Sequence, residues 1–378
     1  KQANQFLFGD EENGIAQNFE KAYSLLLLEA EQDNPLAMYD LGRMNADGLG
    51  CSEDVARSHL WYEKTLAVFQ VSESESPWKY TQYRIGKMYA AGLGTEQDYI
   101  TAAGWLTQSA SEKYKYAEYS LAGLYYKGNG VEQDYQTAFN LYLRSAVQGF
   151  PYACFEVAKM LRDGIGCERD EGEAAKYFTD AFHGFVSLEK QGHDDKLQYR
   201  LGWMLLNGIG TEKDEQQARN YFEKAAAVGN SFAAYRLGKL YLGGEGILKD
   251  ISKALHWLGI AAEQKNQYAE YALGCLYLKG EEVPKDVVKA IAYLQSAAAQ
   301  GNELAEYRLG KIYLVGDGVP KDIETAIKYL TASAEKGNQY AQYTLGKFYL
   351  MGKDVFRDKE EAIRWFTLSA AQGNIYAQ

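Results

Sequence analysis

Two kinds of side chain recur through this 378-residue sequence in one register, and together they could hold a binding partner. The first kind is aromatic, in a row formed by Tyr39, Tyr83, Tyr119, Phe155, Tyr199, Tyr235, Tyr271, Tyr307 and Tyr343. The second kind is basic, at the neighbouring positions Arg43, Arg84, Lys87, Lys159, Arg200, Arg236, Lys239, Arg308, Lys311 and Lys347. Only Asp40 and Glu156 are acidic there. Tyrosine gives contact area at low entropy cost and arginine grips carboxylates with two hydrogen bonds, so these rows suit an extended acidic peptide.

A helical wheel places the aromatic row about 160° from the core leucine of the same helix, on the opposite face. The residues that we assign to partner binding are Tyr199, Arg200, Trp203, Tyr235, Arg236, Lys239, Tyr271, Tyr307, Arg308, Lys311, Tyr343 and Lys347. Trp203 stands where other repeats carry lysine, which makes it a candidate hot spot. Two alternatives stay open. The tyrosines could wedge between neighbouring helices, as aromatic stripes often do, and the same side chains could stack bases and track phosphates.

Patterns typical of catalysis or metal binding are absent from the sequence. His59, His183, His193 and His256 have no second ligand at metal spacing, and neither G-x-S-x-G nor H-E-x-x-H occurs. Gly-x-Gly recurs, but it follows a helical pattern instead of a strand, so it is predicted to end helices and not to cradle phosphate. The sequence therefore predicts no enzyme, no metal and no cofactor.

Charge and cysteine usage narrow the class of partner and the compartment. The net charge of −11 argues against a surface that binds nucleic acid throughout, although it leaves room for a local basic patch. The longest obvious apolar run, Leu25 to Leu28, is far shorter than the roughly 18 residues of a membrane span. Cys51, Cys154, Cys167 and Cys275 show no C-x-x-C spacing, so they are predicted to be free thiols in the cytoplasm.

Repeats of about 36 residues position these rows. The stretch Tyr235-Arg-Leu-Gly-Lys-Leu-Tyr241 recurs as Tyr271-Ala-Leu-Gly-Cys-Leu-Tyr277 and as Tyr307-Arg-Leu-Gly-Lys-Ile-Tyr313. The small residue in the middle defines an anchor in each unit, and the anchors are Gly42, Gly86, Ala122, Ala158, Gly202, Gly238, Gly274, Gly310 and Gly346. Their spacing is 36 residues except for two intervals of 44.

Each repeated residue has a predicted structural role. The glycine six after the anchor ends a first helix, A. The aspartate twelve after the anchor is the N-cap of a second helix, B. The small anchor lets the two helices approach closely, while the leucine before it and the tyrosine three after it belong to the core. Neither helix can bury its apolar face alone, so the units must stack into one continuous core.

The domain prediction is a single repeat solenoid over residues 1–378, with 8-residue insertions between Trp61 and Thr81 and between Tyr177 and Leu197. We expect each insertion to lengthen helix B and the turn after it, and we expect the first exposed turn at 72–77. The chain starts and ends inside repeats and lacks an initiating Met, so we expect a segment of a longer protein.

The shared pattern A-x-Y-x-L-G-x-x-Y-x-x-G-x-G-V-x-x-D-x-x-K-A-x-x-W resembles the Sel-one-like repeat family, short relatives of tetratricopeptide repeats. The resemblance implies an all-α fold, a right-handed α/α superhelical solenoid of about ten helix-turn-helix repeats, whose A helices line a concave face. It implies a non-catalytic adaptor or scaffold that binds a protein or an acidic peptide in that groove. The repeats are also similar to arrays attached to mobilisation relaxases of bacterial conjugative elements, which implies, as the alternative, a region that positions a DNA-processing protein on protein or nucleic-acid partners.

Overall fold

Pairs of helices joined by short loops make up this chain in the computed structural model. The structure describes residues 2–9, 14–192, 194–244, 248–352 and 357–377, and in those ranges it contains twenty helices and no strand. The odd-numbered helices are the A helices of successive repeats and the even-numbered ones are the B helices. Their bounds are α1 Gln2–Phe8, α2 Phe19–Ala30, α3 Pro35–Asp47, α4 Val55–Glu75, α5 Lys79–Ala91, α6 Tyr99–Ser111, α7 Lys115–Lys127, α8 Tyr135–Val147, α9 Pro151–Asp163, α10 Glu171–Glu189, α11 Asp195–Asn207, α12 Glu215–Ala227, α13 Ser231–Gly243, α14 Ile251–Glu263, α15 Gln267–Lys279, α16 Val287–Ala299, α17 Glu303–Val315, α18 Ile323–Glu335, α19 Gln339–Met351 and α20 Lys359–Ala371.

The helix ends follow the predicted residues. The A helix α15 ends at Gly280, which has a left-handed φ of 70° that glycine adopts without strain. The B helix α16 begins after Asp286, whose carboxylate accepts a hydrogen bond from the backbone N–H of Lys289. The backbone N–H of Asp286 in turn donates to the carbonyl of Tyr277, 3.0 Å away, which fixes the loop between the helices. Each B helix from α4 to α20 begins with the same aspartate cap.

The anchor is the point at which the two helices of a repeat come closest. A Cβ atom added to Gly274 would lie 2.7 Å from Cγ of Leu294 on α16 and 3.2 Å from the carbonyl oxygen of Ala290. Leu294 is fully buried. The predicted reason for a small residue at this position is therefore confirmed, because any larger side chain would displace helix B.

The first glycine of each Gly-x-Gly loop ends helix A, whereas the second glycine allows close packing on the preceding repeat. At Gly94 an added Cβ would lie 2.3 Å from the carbonyl carbon of Tyr62, on the B helix of the preceding repeat. Gly130 makes the same close approach to Tyr99. The loop thus packs on the backbone of the previous repeat, and the recurrence of the motif has this structural explanation.

The chain divides into two compact units. Unit 1 comprises Lys1–His193 and Gly208–Lys213 and holds α1–α10, whereas unit 2 comprises Asp194–Asn207 and Asp214–Gln378 and holds α11–α20. Inside each unit a B helix packs on its own A helix and on the A helix of the next repeat, which is the solenoid arrangement that the sequence predicts. The single solenoid over residues 1–378 stays a prediction.

The two insertions are accommodated differently. Helix α4 has 21 residues against 13 in α6, so it absorbs the first insertion completely, and the expected turn at 72–77 is wrong because residues 72–75 are helical. In the added turns, Glu73 is buried and accepts hydrogen bonds from the backbone N–H of Trp78 and from Nε2 of Gln82. Helix α10 has 19 residues and is followed by a longer turn, as expected.

We predict that Gly274→Leu lowers the free energy of unfolding by about 3 kcal/mol or more, because the new side chain would overlap Leu294. The matched control is Gly259→Leu in α14, where no atom lies within 4 Å of an added Cβ. That change should stabilise the helix by about 0.5–1 kcal/mol. Urea unfolding followed by circular dichroism measures both, and equal midpoints for Gly274→Leu and the wild type would contradict the anchor contact.

A second prediction concerns pH. The pKa values of the cap carboxylates Asp98, Asp134 and Asp322 are lowered. The largest cause is a hydrogen bond from a threonine hydroxyl, which Thr101, Thr137 and Thr325 donate in turn, and hydrogen bonds from backbone N–H groups add to it. A lowered folded-state pKa adds stability above the unfolded value of about 3.9, and that stability is lost as the pH falls through the folded value.

The triple variant Thr101→Val, Thr137→Val, Thr325→Val should therefore unfold at lower urea than the wild type near neutral pH. The gap should close as the pH falls through the lowered folded-state pKa values of the caps, because the carboxylates are then protonated in both proteins. Urea midpoints across the acid range test this. A gap that stays constant with pH would mean that the hydroxyls act only through packing.

Candidate functional site

The twelve assigned binding residues all lie on the A helices of unit 2, namely α11, α13, α15, α17 and α19. They fall into two groups by exposure. Arg308 and the lysines Lys239, Lys311 and Lys347 are exposed. The half-buried group comprises Tyr199, Arg200, Trp203, Tyr235, Arg236, Tyr271, Tyr307 and Tyr343.

Three tyrosines of this row, Tyr199, Tyr235 and Tyr307, pack against aromatic side chains of the next A helix. The ring centroids of Tyr235 on α13 and Tyr268 on α15 are 5.9 Å apart, and those of Tyr307 on α17 and Tyr340 on α19 are 6.2 Å apart. Such tilted pairs contribute beyond the area that they bury. The tyrosines thus lie between adjacent A helices, and they present only part of each ring to a ligand.

A second aromatic row, which the helical wheel did not predict, lies beside the first on the A helices of unit 2. Phe232, Tyr268 and Tyr340 stand three residues before Tyr235, Tyr271 and Tyr343, and 49%, 46% and 56% of their surfaces are exposed. The available signal was their recurrence six residues before the anchor, one helical turn earlier on the same helix. This outer row is more accessible than the tyrosines behind it.

Three lysines on the A helices of unit 2 are left uncompensated within the described ranges. Lys239, Lys311 and Lys347 have no acidic side chain within 4.0 Å there. Two of the equivalent cations of unit 1 are paired instead: Arg43 lies 3.4 Å from Asp40, and Lys159 lies 2.8 Å from Glu156. A ligand that carries carboxylates would therefore meet unpaired ammonium groups along unit 2.

Arg308 also has a structural role in the row. Burial is the largest influence on the pKa of Tyr271 and raises it; Cys275 raises it further, and a hydrogen bond with Arg308 opposes the shift. The guanidinium therefore reaches from α17 back to α15. In unit 1 the guanidinium of Arg84 makes a comparable contact over the ring of Tyr39, at 5.4 Å. Arg308 and Arg84 thus each link consecutive repeats, and Arg308 is exposed to solvent at the same time.

The histidine and cysteine side chains were the other candidates for chemistry. His183 packs against Phe182 and His256 against Trp257, while His193 lies outside the described residues. All four cysteines are free thiols, as predicted, and burial raises the pKa of Cys154 to about 11.

Across the part of the chain that the structure describes, no group of three or more His, Cys, Asp or Glu side chains is placed to hold a metal ion. No helix there has both the length and the apolar character to cross a membrane.

The repeat geometry agrees with a family model. Ten segments match the Sel1 repeat, and they cover residues 6–34, 35–66, 80–114, 115–150, 151–181, 196–230, 231–266, 267–302, 304–338 and 339–374. The chain therefore belongs to the Sel1 repeat family. Proteins of this family are generally scaffolds for protein–protein interactions.

Two solved structures support the fold. A protective antigen present in uropathogenic Escherichia coli strains, which displays an SLR fold, is 29% identical with a TM-score of 0.54, over 99% of this chain and 76% of that one. A Sel1 repeat protein from Oxalobacter formigenes is 28% identical with a TM-score of 0.53, over 86% of this chain and 89% of that one. No curated protein matches the chain significantly.

The two aromatic rows should differ in their effect on stability. We predict that Tyr307→Ala lowers the free energy of unfolding by about 2 kcal/mol, because the ring is half-buried between α17 and α19. Tyr340→Ala removes a ring that is 56% exposed and should cost less than about 1 kcal/mol. Urea unfolding of both variants is the measurement. Equal losses would show that the two rows are packed alike.

Proposed function

We propose that this chain is a non-catalytic scaffold that holds an extended acidic peptide, or an acidic segment of a protein, along the A helices of unit 2. The observation that carries the proposal is the set of unpaired lysines, Lys239, Lys311 and Lys347, beside partly exposed aromatic rings. Aromatic anchors with cations at their side supply both contact area and charge-assisted hydrogen bonds.

The repeat explains why the ligand would be extended. The A helices α13, α17 and α19 each offer an aromatic and basic set, α15 offers aromatic rings without a cation at the matching positions, and packed helices are typically about 8–10 Å apart. An extended chain advances about 3.3 Å per residue, so one step between helices corresponds to about three ligand residues. A peptide that follows α13 to α19 would therefore place its acidic residues about six positions apart opposite Lys239 and Lys311, and about three positions apart opposite Lys311 and Lys347.

The unpaired thiols support a reducing compartment, and we place the protein in the cytoplasm on that ground. A native partner would then be an intracellular protein with an acidic, unstructured segment. Ordering such a segment costs conformational entropy, so moderate affinity is expected.

Selection from a displayed library of random peptides tests the proposal, with the full chain as bait. We expect the enriched peptides to carry Asp or Glu and to lose at least about tenfold in affinity for the triple variant Lys239→Glu, Lys311→Glu, Lys347→Glu, since each reversal turns an attraction into a repulsion. Surface substitutions of this kind leave folding nearly intact.

The matched control is Lys253→Glu, Lys289→Glu, Lys328→Glu, which makes the same charge change on the B helices α14, α16 and α18. It should retain the wild-type affinity. Enriched peptides without an acidic bias, or equal losses in both triple variants, would contradict the A-helix site. Displacement of the peptides by a single-stranded oligonucleotide, with steep salt dependence, would instead favour nucleic acid as the ligand.

A further inference from the structure

A second surface lies in unit 1, on three consecutive A helices. Helices α5, α7 and α9 carry aromatic residues both eight and six positions before the anchor. We call this set the aromatic grid, and its six members are Trp78, Tyr80, Tyr114, Tyr116, Phe150 and Tyr152. None of them belongs to the binding row of unit 2.

The first column of the aromatic grid replaces a structural residue. At the same position in α13, α15, α17 and α19, an asparagine caps the helix through its side chain. Trp78, Tyr114 and Phe150 stand in its place, and they make no side-chain cap hydrogen bond. Asparagine is among the preferred N-cap residues and aromatic residues are not. Three adjacent repeats therefore lack the stabilising cap hydrogen bond and carry an aromatic ring at that position instead.

The rings contact one another from helix to helix. Centroids are 5.0 Å apart for Tyr116 and Phe150 and 6.4 Å apart for Tyr80 and Tyr114, and the ring planes cross at 71° and 77°. Crossed rings form notches between them instead of flat open platforms. Trp78 and Tyr116 are 55% and 37% exposed, so the notches are open to solvent.

The rim of the aromatic grid is basic. Lys79 and Lys115 have no acidic side chain within 4.0 Å in the described ranges, and the guanidinium of Arg84 lies 5.1 Å from the centre of the Tyr80 ring. Acidic side chains of an occupant would find partners along this rim.

We propose that the aromatic grid binds a proline-rich segment in the polyproline II conformation, with acidic residues between its prolines. Such a segment has no internal hydrogen bonds, so its carbonyls can accept from tyrosine hydroxyls while its pyrrolidine rings fill notches between aromatic side chains. Stacked bases would need flat, open ring faces, and the crossed ring contacts cover many of these. The proposal concerns unit 1 and stands independently of the acidic-peptide site in unit 2.

Fluorescence anisotropy tests this with the full chain carrying Lys239→Glu, Lys311→Glu and Lys347→Glu, so that the acidic probe does not bind the site proposed in unit 2. The probe is a fluorescein-labelled peptide of repeated Pro-Pro-Glu, about twelve residues long, which spans roughly 37 Å at about 3.1 Å per residue. An Ala-Ala-Glu peptide of equal length and charge should bind at least about tenfold more weakly, because it lacks the preformed helix. Trp78→Ala and Tyr116→Ala should each weaken binding of the proline peptide by about fivefold or more.

Tyr135→Ala is the matched control, since it removes a tyrosine that is 40% exposed on the B helix α8, outside both proposed surfaces; it should leave the affinity for the proline peptide unchanged. Tyr114→Asn restores the residue of the capped repeats, so it should weaken binding while the protein stays folded, as circular dichroism would show.

Equal affinity for the proline and alanine peptides would overturn the proposal. So would undiminished binding in Trp78→Ala and Tyr116→Ala. Oligothymidylate could also displace the peptide from the unsubstituted grid and bind more weakly to Trp78→Ala and Tyr116→Ala. That result would assign the aromatic grid to nucleic acid and would overturn the proposal as well.

Discussion

The close contact between the two helices of a repeat, at the anchor, is the constraint from which the rest of the structure follows. At Gly238, Gly274 and Gly310 an added Cβ would lie 2.6–2.7 Å from a leucine on helix B. Because this contact sets the spacing of the helix pair, the loop glycine and the aspartate cap take the same geometry in successive repeats. The outer face of each A helix therefore presents its side chains in one register, which is what allows rows of similar residues to form.

A buried polar contact reinforces that geometry from the other end of the helix pair. Glu270 is 2% exposed and accepts hydrogen bonds from Ser296 and from Gln300 at the end of α16. Glu306 and Lys336 form the corresponding pair in the next repeat, at 2.6 Å. A buried carboxylate is stable only when it is paired, so these contacts hold the start of helix A against the end of helix B. Position and tilt of the A helix are thus fixed at two points.

Structural features that depend on one repeat and its own backbone could be predicted from the sequence. Caps, loop glycines and the anchor were predictable since each acts within a few residues or across one helix pair. The exposure of Tyr235 was not, because a helical wheel treats its helix alone whereas the ring packs on Tyr268 of the next repeat. The extent of α4 was missed for a similar reason, because its last turns contact the next repeat: Glu73 accepts hydrogen bonds from Trp78 and Gln82, which follow the helix.

The two units carry different side chains on the same scaffold. The free energy lost with a cap can be compared with the free energy gained from ring contacts. Losing an asparagine cap costs about 1 kcal/mol in each of α5, α7 and α9. Ring pairs contribute about 0.5–1.5 kcal/mol each, so contacts such as that of Tyr114 with Tyr116 can offset the loss. Unit 1 pairs Arg43 and Lys159 with acids, whereas in the described part of unit 2 the helices α13, α15, α17 and α19 keep their asparagine caps and Lys239, Lys311 and Lys347 have no acidic side chain within 4.0 Å. Because the anchor contact is satisfied in both units, the outer faces are free to differ, and we infer that the chain presents two surfaces for two kinds of segment.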